Sequence, residues 1–230
     1  MKIHNIAYVV CTKAKSNKRL LIEDSAIKEN HNPNYEVYRF DENNESLSVK
    51  YNKFIDESLD YYDDSTAIVF VHDDVYLNYS NLASKLNNAF KQFDVVGVAG
   101  TTSITNMQPA LWHLMGPPES RRGCVAHSLN PESSGVSPYV YTSFGPLNDR
   151  VILIDGVFIA TTPSVLRSVR FDESNPSRFH YYDLDFSLEC NKNKKKIGVW
   201  DIPIIHKSPG LTNPNEEWSA GKKWFIEKWS

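Results

Sequence analysis

No stretch of this 230-residue sequence approaches the ~20 consecutive apolar residues that a membrane span needs. The opening MKIHNIAYVV also lacks the basic region, long apolar core and cleavage site of a secretory leader. These absences lead to the expectation of a cytoplasmic chain, with at most peripheral membrane association through the short basic run between Lys192 and Lys196. That run reads first as a solvated helix end, where cations suit the dipole, and membrane attraction is the minor reading. Cysteine is scarce: Cys11, Cys124 and Cys190 are odd in number, widely spaced and form no CxxC pair, so neither a disulfide framework nor a zinc site is indicated. A basic excess is missing too, with 25 Lys and Arg against 28 Asp and Glu, which argues against a duplex nucleic-acid binder. No internal repeat occurs, and only the Pro-, Gly- and Ser-rich stretch from Met107 to Arg150 lacks regular periodicity.

What is present is an ordinary globular composition, 41% hydrophobic and 23% charged, in a length that favours one domain. Apolar runs alternate with helical periodicity. IAYVV (6–10) reads as a buried strand, KRLLIEDSAIKEN (18–30) as a helix, YEVYRF (35–40) as a strand and SVKYNKFIDESLDYY (48–62) as a helix. AIVFV (67–71), NLASKLNNAFKQF (81–93) and VVGVAG (95–100) continue as strand, helix and strand. The pattern predicts an α/β fold with a mixed, mainly parallel sheet flanked by helices, in which ligands bind beyond the carboxyl ends of the strands. Thr12, Asp41 and the triplet His72, Asp73, Asp74 follow the first three strands and converge on that crevice.

The triplet poses the chemical question. Two adjacent carboxylates at an apolar strand end repel each other unless a cation or strong hydrogen bonds offset the repulsion. Helix capping or a solvated turn is the plainer explanation. Later in the chain come VILIDGVFIA (151–160), broken by Asp155 and Gly156, and a helix start at FHYYDLDFSLEC with Asp183 and Asp185 in its first turn. IGVWDIPIIHKSPG then reads as a strand ending in His206, and the tail carries Trp218, Phe225 and Trp229 at amphipathic helical spacing. Asp74 and His206, with Asp73 as a further candidate donor, form a reasonable set for Mn²⁺, or for Mg²⁺ shared with substrate phosphates. A core histidine satisfied by a backbone carbonyl is the other reading of His206. Trp112 suits sugar stacking or core packing. The Arg121 and Arg122 pair suits a phosphate or simply an exposed loop.

Taken in order, KYNKFIDES, VHDDV, GVAGT, DGVFIA, FDE, YYDLDFSLE and IIHKSPG resemble the glycosyltransferases of GT-A fold, specifically the family-two-like inverting group that carries a DxD motif. The resemblance covers most of the chain and implies a nucleotide-binding half (1–106) followed by an acceptor and catalytic half (107–230). It implies a metal-dependent hexosyl-type transfer from a nucleoside diphosphate sugar, expected to be a UDP-sugar, to a glycan or lipid-linked hydroxyl, as in polysaccharide biosynthesis. Under it, Asp74 and His206 hold Mn²⁺ or Mg²⁺. Thr12, Asp41, Asn52, Lys53, His72, Asp73, Asp155 and Gly156 contact the donor. Asp183 is the general base, with Asp185 as its possible substitute. The chain departs from the family in placing His72 at the first DxD position, Tyr182 where Glu is usual and Glu189 where Arg is usual. Those departures keep open a non-catalytic nucleotide-sugar-binding module. A nucleotidyltransferase is the other alternative, although CTKAKSNKRL lacks the glycine-rich loop it would need. A metal-dependent hydrolase built on the same Asp and His residues is a further one.

Overall fold

The computed structural model describes residues 2–28, 34–105, 108–208 and 215–230. Glu29, Asn30, Met107, Pro209 and Gly210, which the readings above included, lie outside them. In chain order the elements are β1 (Asn5–Cys11), α1 (Leu21–Lys28), β2 (Tyr35–Phe40), α2 (Leu47–Ser58), β3 (Thr66–Val71), β4 (Val75–Leu77), α3 (Leu82–Ala89), β5 (Val95–Gly97) and β6 (Ala99–Thr101). The second half contributes α4 (Trp112–Met115), β7 (Arg121–Ser128), β8 (Tyr139–Ser143), β9 (Asp149–Arg150), β10 (Leu153–Ile154) and β11 (Phe158–Thr161). It ends with α5 (Pro163–Leu166), α6 (Tyr182–Lys192), β12 (Ile197–Val199), β13 (Ile204–His206) and α7 (Glu216–Trp229).

The continuous apolar runs in β1 and β3 are explained by cover on both faces. Tyr8, Val10, Val69 and Val71 join one core cluster, while Ala7, Val9, Ile68 and Phe70 join another on the opposite face. Helix starts follow local capping: Ser46 accepts from the Val49 amide at 3.2 Å, and Asn215 accepts from the Trp218 amide at 2.9 Å. Trp218 and Phe225 of α7 are buried, as the seven-residue offset predicts.

The main sheet has the order β2-β1-β3-β11-β5-β12-β9. The first three strands are mutually parallel, β5 and β12 are parallel, and β11 runs antiparallel between β3 and β5. A second sheet has the order β10-β6-β7-β13-β4, with β8 paired to β7. This second sheet corrects two expectations. VVGVAG is not one strand but bends from β5 in the main sheet into β6 in the second, while VILIDGVFIA, already broken in sequence at Asp155 and Gly156, supplies β10 to the second sheet and β11 to the main one. Gly100 permits the first crossing, because a Cβ there would lie 2.2 Å from the Leu153 carbonyl oxygen of β10. The stretch expected to be irregular contains β7, which lies between β6 and β13. Its sequence RRGCVAHS carries no strand-like alternation, and its neighbours arrive from distant parts of the chain.

Among the described residues, six connections without an intervening helix cross from one sheet to the other: β3 to β4, β5 to β6, β8 to β9, β9 to β10, β10 to β11 and β12 to β13. Both sheets draw strands from each half of the sequence. No described helix is long and apolar enough to cross a membrane.

Candidate functional site

The acidic triplet occupies the crossing from β3 to β4. β4 pairs antiparallel with β13, setting Val75 opposite His206, and the Lys207 amide donates to the Asp74 carbonyl at 2.8 Å. This register brings the Asp74 and His206 side chains together, with His206 Nε2 3.2 Å from Asp74 Oδ1. The contact is not aligned as a hydrogen bond, so Oδ1 is buried without a well-directed donor. The His72 ring lies 5.7 Å from that of His206, centroid to centroid. One donor atom from each of His72, Asp74 and His206 falls within 4.8 Å of the other two. An orphaned carboxylate oxygen facing two imidazoles fits a divalent cation, because a cation supplies the missing partner.

Tyr182 Oη donates to the Gly156 carbonyl at 3.0 Å and lies 3.0 Å from His72 Nε2. In the tautomer with its proton on Nε2, His72 donates to that oxygen and keeps on Nδ1 the lone pair that a metal ligand requires. Burial pushes the Asp74 carboxyl up, yet contact with His206 and the charges of both histidines hold it below the ordinary carboxylate range. Burial pulls the His206 imidazole down, but Asp74 outweighs this and raises it. His72 is lowered, chiefly by burial, against the pull of Asp74.

Asp73 turns the other way. Its Oδ2 accepts from the Thr12 hydroxyl at 2.5 Å, and that hydroxyl in turn accepts from the Ala14 amide at 3.0 Å. The two adjacent carboxylates thus avoid each other by serving different neighbours. Thr12 and Asp73 line a cavity of about 450 Å³ together with Lys13, Asn43, Arg178 and Asn215, the last at the start of α7.

On the opposite side of Tyr182 lies the crossing from β10 to β11. Gly156 N–H donates to Asp183 Oδ2 at 2.7 Å, and Asp155 Oδ1 accepts from the Val157 amide at 3.0 Å. Burial and the nearby Asp155 push the Asp183 carboxyl up to about 7, although the Gly156 amide opposes them. Tyr181, the residue before α6, holds a left-handed φ of 67°, and its ring packs 5.4 Å from Trp218 while its hydroxyl donates to Gln108 at 3.0 Å. These contacts sustain a backbone conformation that a bulky residue seldom adopts, and they aim Tyr182 and Asp183 at Gly156. A Cβ on Gly156 would lie 2.2 Å from Tyr182 Oη and 3.0 Å from the Asp183 Cβ. Gly156→Ala is expected to cost about 1–3 kcal/mol by overpacking, read as a lowered denaturation midpoint with an unchanged m-value; an unaltered midpoint would contradict this close approach.

Several sequence-predicted residues are not brought to this crevice. Asp41 is held by Arg39 through Nη2 at 2.7 Å, and that arginine also binds Glu23. The buried Asn52 amide spends its donors on the Phe171 carbonyl and Glu173, both at 2.8 Å, and its oxygen accepts from the Phe171 amide. Lys53 lies 3.8 Å from Glu57 on an exposed face of α2. Asp185 is only 1% exposed and is gripped from α7 by Lys228 at 2.7 Å and by Trp229 Nε1 at 2.8 Å. Asp183 by contrast keeps partial solvent access, which separates two carboxylates that sequence spacing could not. Arg121 donates to the Gly116 carbonyl at 2.8 Å and Arg122 to Asp149 at 2.6 Å, so both serve the architecture of the second sheet. Trp112 is buried and packs on Phe144 at 5.3 Å. The role of Tyr182 was missed: its departure from the family's Glu was visible, but the hydrogen bonds that explain it join residues 110 and 26 positions apart.

A family profile described as "Glycosyltransferase like family" matches residues 9–229. No curated protein matches the chain. Among solved structures, the crystal structure of A197 from STIV is similar at 12% identity and a TM-score of 0.49, covering 94% of this chain and 99% of that one.

Proposed function

The chain belongs to the glycosyltransferase-like family, and on that premise we propose that it moves a sugar from a nucleoside diphosphate to an acceptor hydroxyl with inversion at the anomeric carbon. One observation carries this reading. The candidate cation site and the candidate base meet at Gly156, whose carbonyl accepts from Tyr182, the partner of His72, while its amide donates to Asp183.

His72, Asp74 and His206 would hold the cation, and two imidazoles among three donors favour Mn²⁺ over Mg²⁺. When bound, such an ion acts as a Lewis acid that offsets charge on the departing diphosphate. The nucleotide occupies the cavity at Thr12 and Asp73, where Lys13 offers positive charge to phosphate, Arg178 is shared with Glu217, and Asn43 and Asn215 offer amides. UDP is the expected nucleotide. Asp183 takes the proton of the acceptor hydroxyl as its oxygen bonds to the anomeric carbon. The bond from that carbon to the diphosphate oxygen breaks, and its electron pair stays with the diphosphate. Asp155 keeps the Asp183 carboxyl basic by charge repulsion. Asp185, turned towards Lys228 and Trp229, takes no part in the proton transfer.

The test is a thermal-shift screen of nucleoside diphosphates with and without Mn²⁺. A ligand that binds only the folded state at about 100 times its Kd contributes about 2.7 kcal/mol, a shift of several degrees for a chain of this size. The expected result is such a shift for UDP only when Mn²⁺ is present. No shift with any nucleoside diphosphate would remove the reading.

A further inference from the structure

Beyond the crossing at Asp155 lies a second cavity, of about 610 Å³, whose reactive end is formed by Asp155 and His206. Most of its remaining wall is hydrocarbon and aromatic, with Leu111, Trp112, Val125, Phe144 and Val157, and His127, Thr142, His180 and Ser208 add polar groups. Trp112 and Phe144 meet edge to face at 5.3 Å, and the His113 ring packs 5.4 Å from Trp112. Burial holds the His113, His127 and His180 imidazoles below their ordinary value. At the mouth, Leu114 is 66% exposed and Phe179 is 49% exposed, and Met115 beside Leu114 is 54% exposed. Large apolar side chains left in water around the mouth of an apolar cavity are covered when an apolar ligand fills it.

We propose that the acceptor is an alcohol whose hydroxyl sits on an apolar body, seated in this cavity with its oxygen towards Asp155, rather than a carbohydrate hydroxyl. The proposal rests on the transferase reading for the direction of the hydroxyl, and on the cavity alone for the class of ligand. A pyranose carries hydroxyl groups around its whole rim; His127, Thr142, His180 and Ser208 can pair with some of them, but those turned towards Leu111, Val125 and Val157 would lose water without gaining a partner. An apolar body loses nothing there and covers Leu114 and Phe179 as well. In transfer, the alcohol O–H proton passes from the Asp155 end of the cavity to Asp183, which the neighbouring Gly156 amide holds beside that end, the alcohol oxygen bonds to the anomeric carbon, and the diphosphate leaves with the electron pair of the broken bond. The products are an apolar glycoside and the nucleoside diphosphate.

Calorimetry on the full chain with Mn²⁺ and UDP, using 4-phenylbutan-1-ol, farnesol and lactose as probes, tests the proposal. Saturable binding of either apolar alcohol without binding of lactose is expected, and comparing the two alcohols separates an aryl body from an isoprenoid one. Leu114→Gln, at an exposed position that folding tolerates, should weaken the favoured alcohol at least fivefold, and the near-isosteric Val125→Thr at least threefold. Lactose binding in preference to both alcohols, no alcohol binding, or alcohol affinity unmoved by both variants would overturn the proposal. If the alcohol binds as expected but Mn²⁺-dependent UDP binding is absent, the transferase reading fails while the ligand class of the cavity stands.

Discussion

Asp74→Ala is expected to abolish the Mn²⁺ dependence of UDP binding, with affinity in the presence of Mn²⁺ falling by at least about 100-fold. Loss of an outer-shell partner of a metal ligand costs about 10–100-fold, and Asp74 would be a direct ligand, the only carboxylate of the three donors. The substitution also removes the group that raises His206. Two half-buried imidazoles would then face each other without an anion, a poor arrangement for a cation. Titration calorimetry with and without Mn²⁺ reads the effect, and a parallel thermal melt establishes that the variant is folded. Unchanged Mn²⁺-dependent binding in a folded variant would dismiss the cation site at the β3 to β4 crossing.

Asp183→Asn is expected to lower sugar transfer by about 10²–10⁴-fold, the usual contribution of a positioned general base, while leaving UDP affinity intact. The amide oxygen of the new residue can still accept from Gly156, so the local structure has a reason to persist. Loss of transfer together with loss of nucleotide binding would point instead to a collapsed crevice. The pH dependence adds an independent sign. Asp183 is raised to about 7 by burial and by Asp155, above the value it would take in the unfolded chain. The folded state therefore holds this proton more tightly than the unfolded state. Stability falls as pH rises from the unfolded value near 4 through about 7, and is level above that. At pH 8 the metal-free Asp183→Asn protein should be more stable than the native one, by up to about 1.4 kcal/mol per unit of the shift. The gain should disappear near pH 4. A gain equal at both pH values would remove the titration from the explanation. For catalysis the sign reverses, since the base must be ionised: transfer should rise with pH through the Asp183 midpoint, which a bound cation displaces downward.

Much of the scaffold was legible because it is governed by local periodicity. The runs at 6–10, 35–40 and 67–71 became β1, β2 and β3 with little change, and the tryptophan and phenylalanine spacing of the tail became the buried face of α7. A strand covered on both faces must be apolar throughout, and an amphipathic helix must repeat every three to four residues. β7 carries neither signature. It holds arginine, glycine and histidine, and it is a strand because β6, β13 and β8 present backbone partners to it. The bend in VVGVAG was hidden because its apolar sequence runs unbroken through the change of sheet, whereas Asp155 and Gly156 mark the break in VILIDGVFIA.

By itself the sequence determined that an acidic pair would end a buried strand in an α/β fold, that a histidine would end a later strand, and that Asp183 would sit in the first turn of a helix. Tertiary structure alone decided which of these groups meet. The pairing of β4 with β13 brings His206 to Asp74, the Thr12 hydroxyl draws Asp73 away, and Tyr182 spans from His72 to Gly156. It also divided Asp183 from Asp185, one residue apart from being neighbours, by turning the second towards Lys228 and Trp229. Periodicity is encoded over a few residues, whereas a cation site requires donors within a few ångströms of one another, and only the packing of one sheet against the other supplies that convergence.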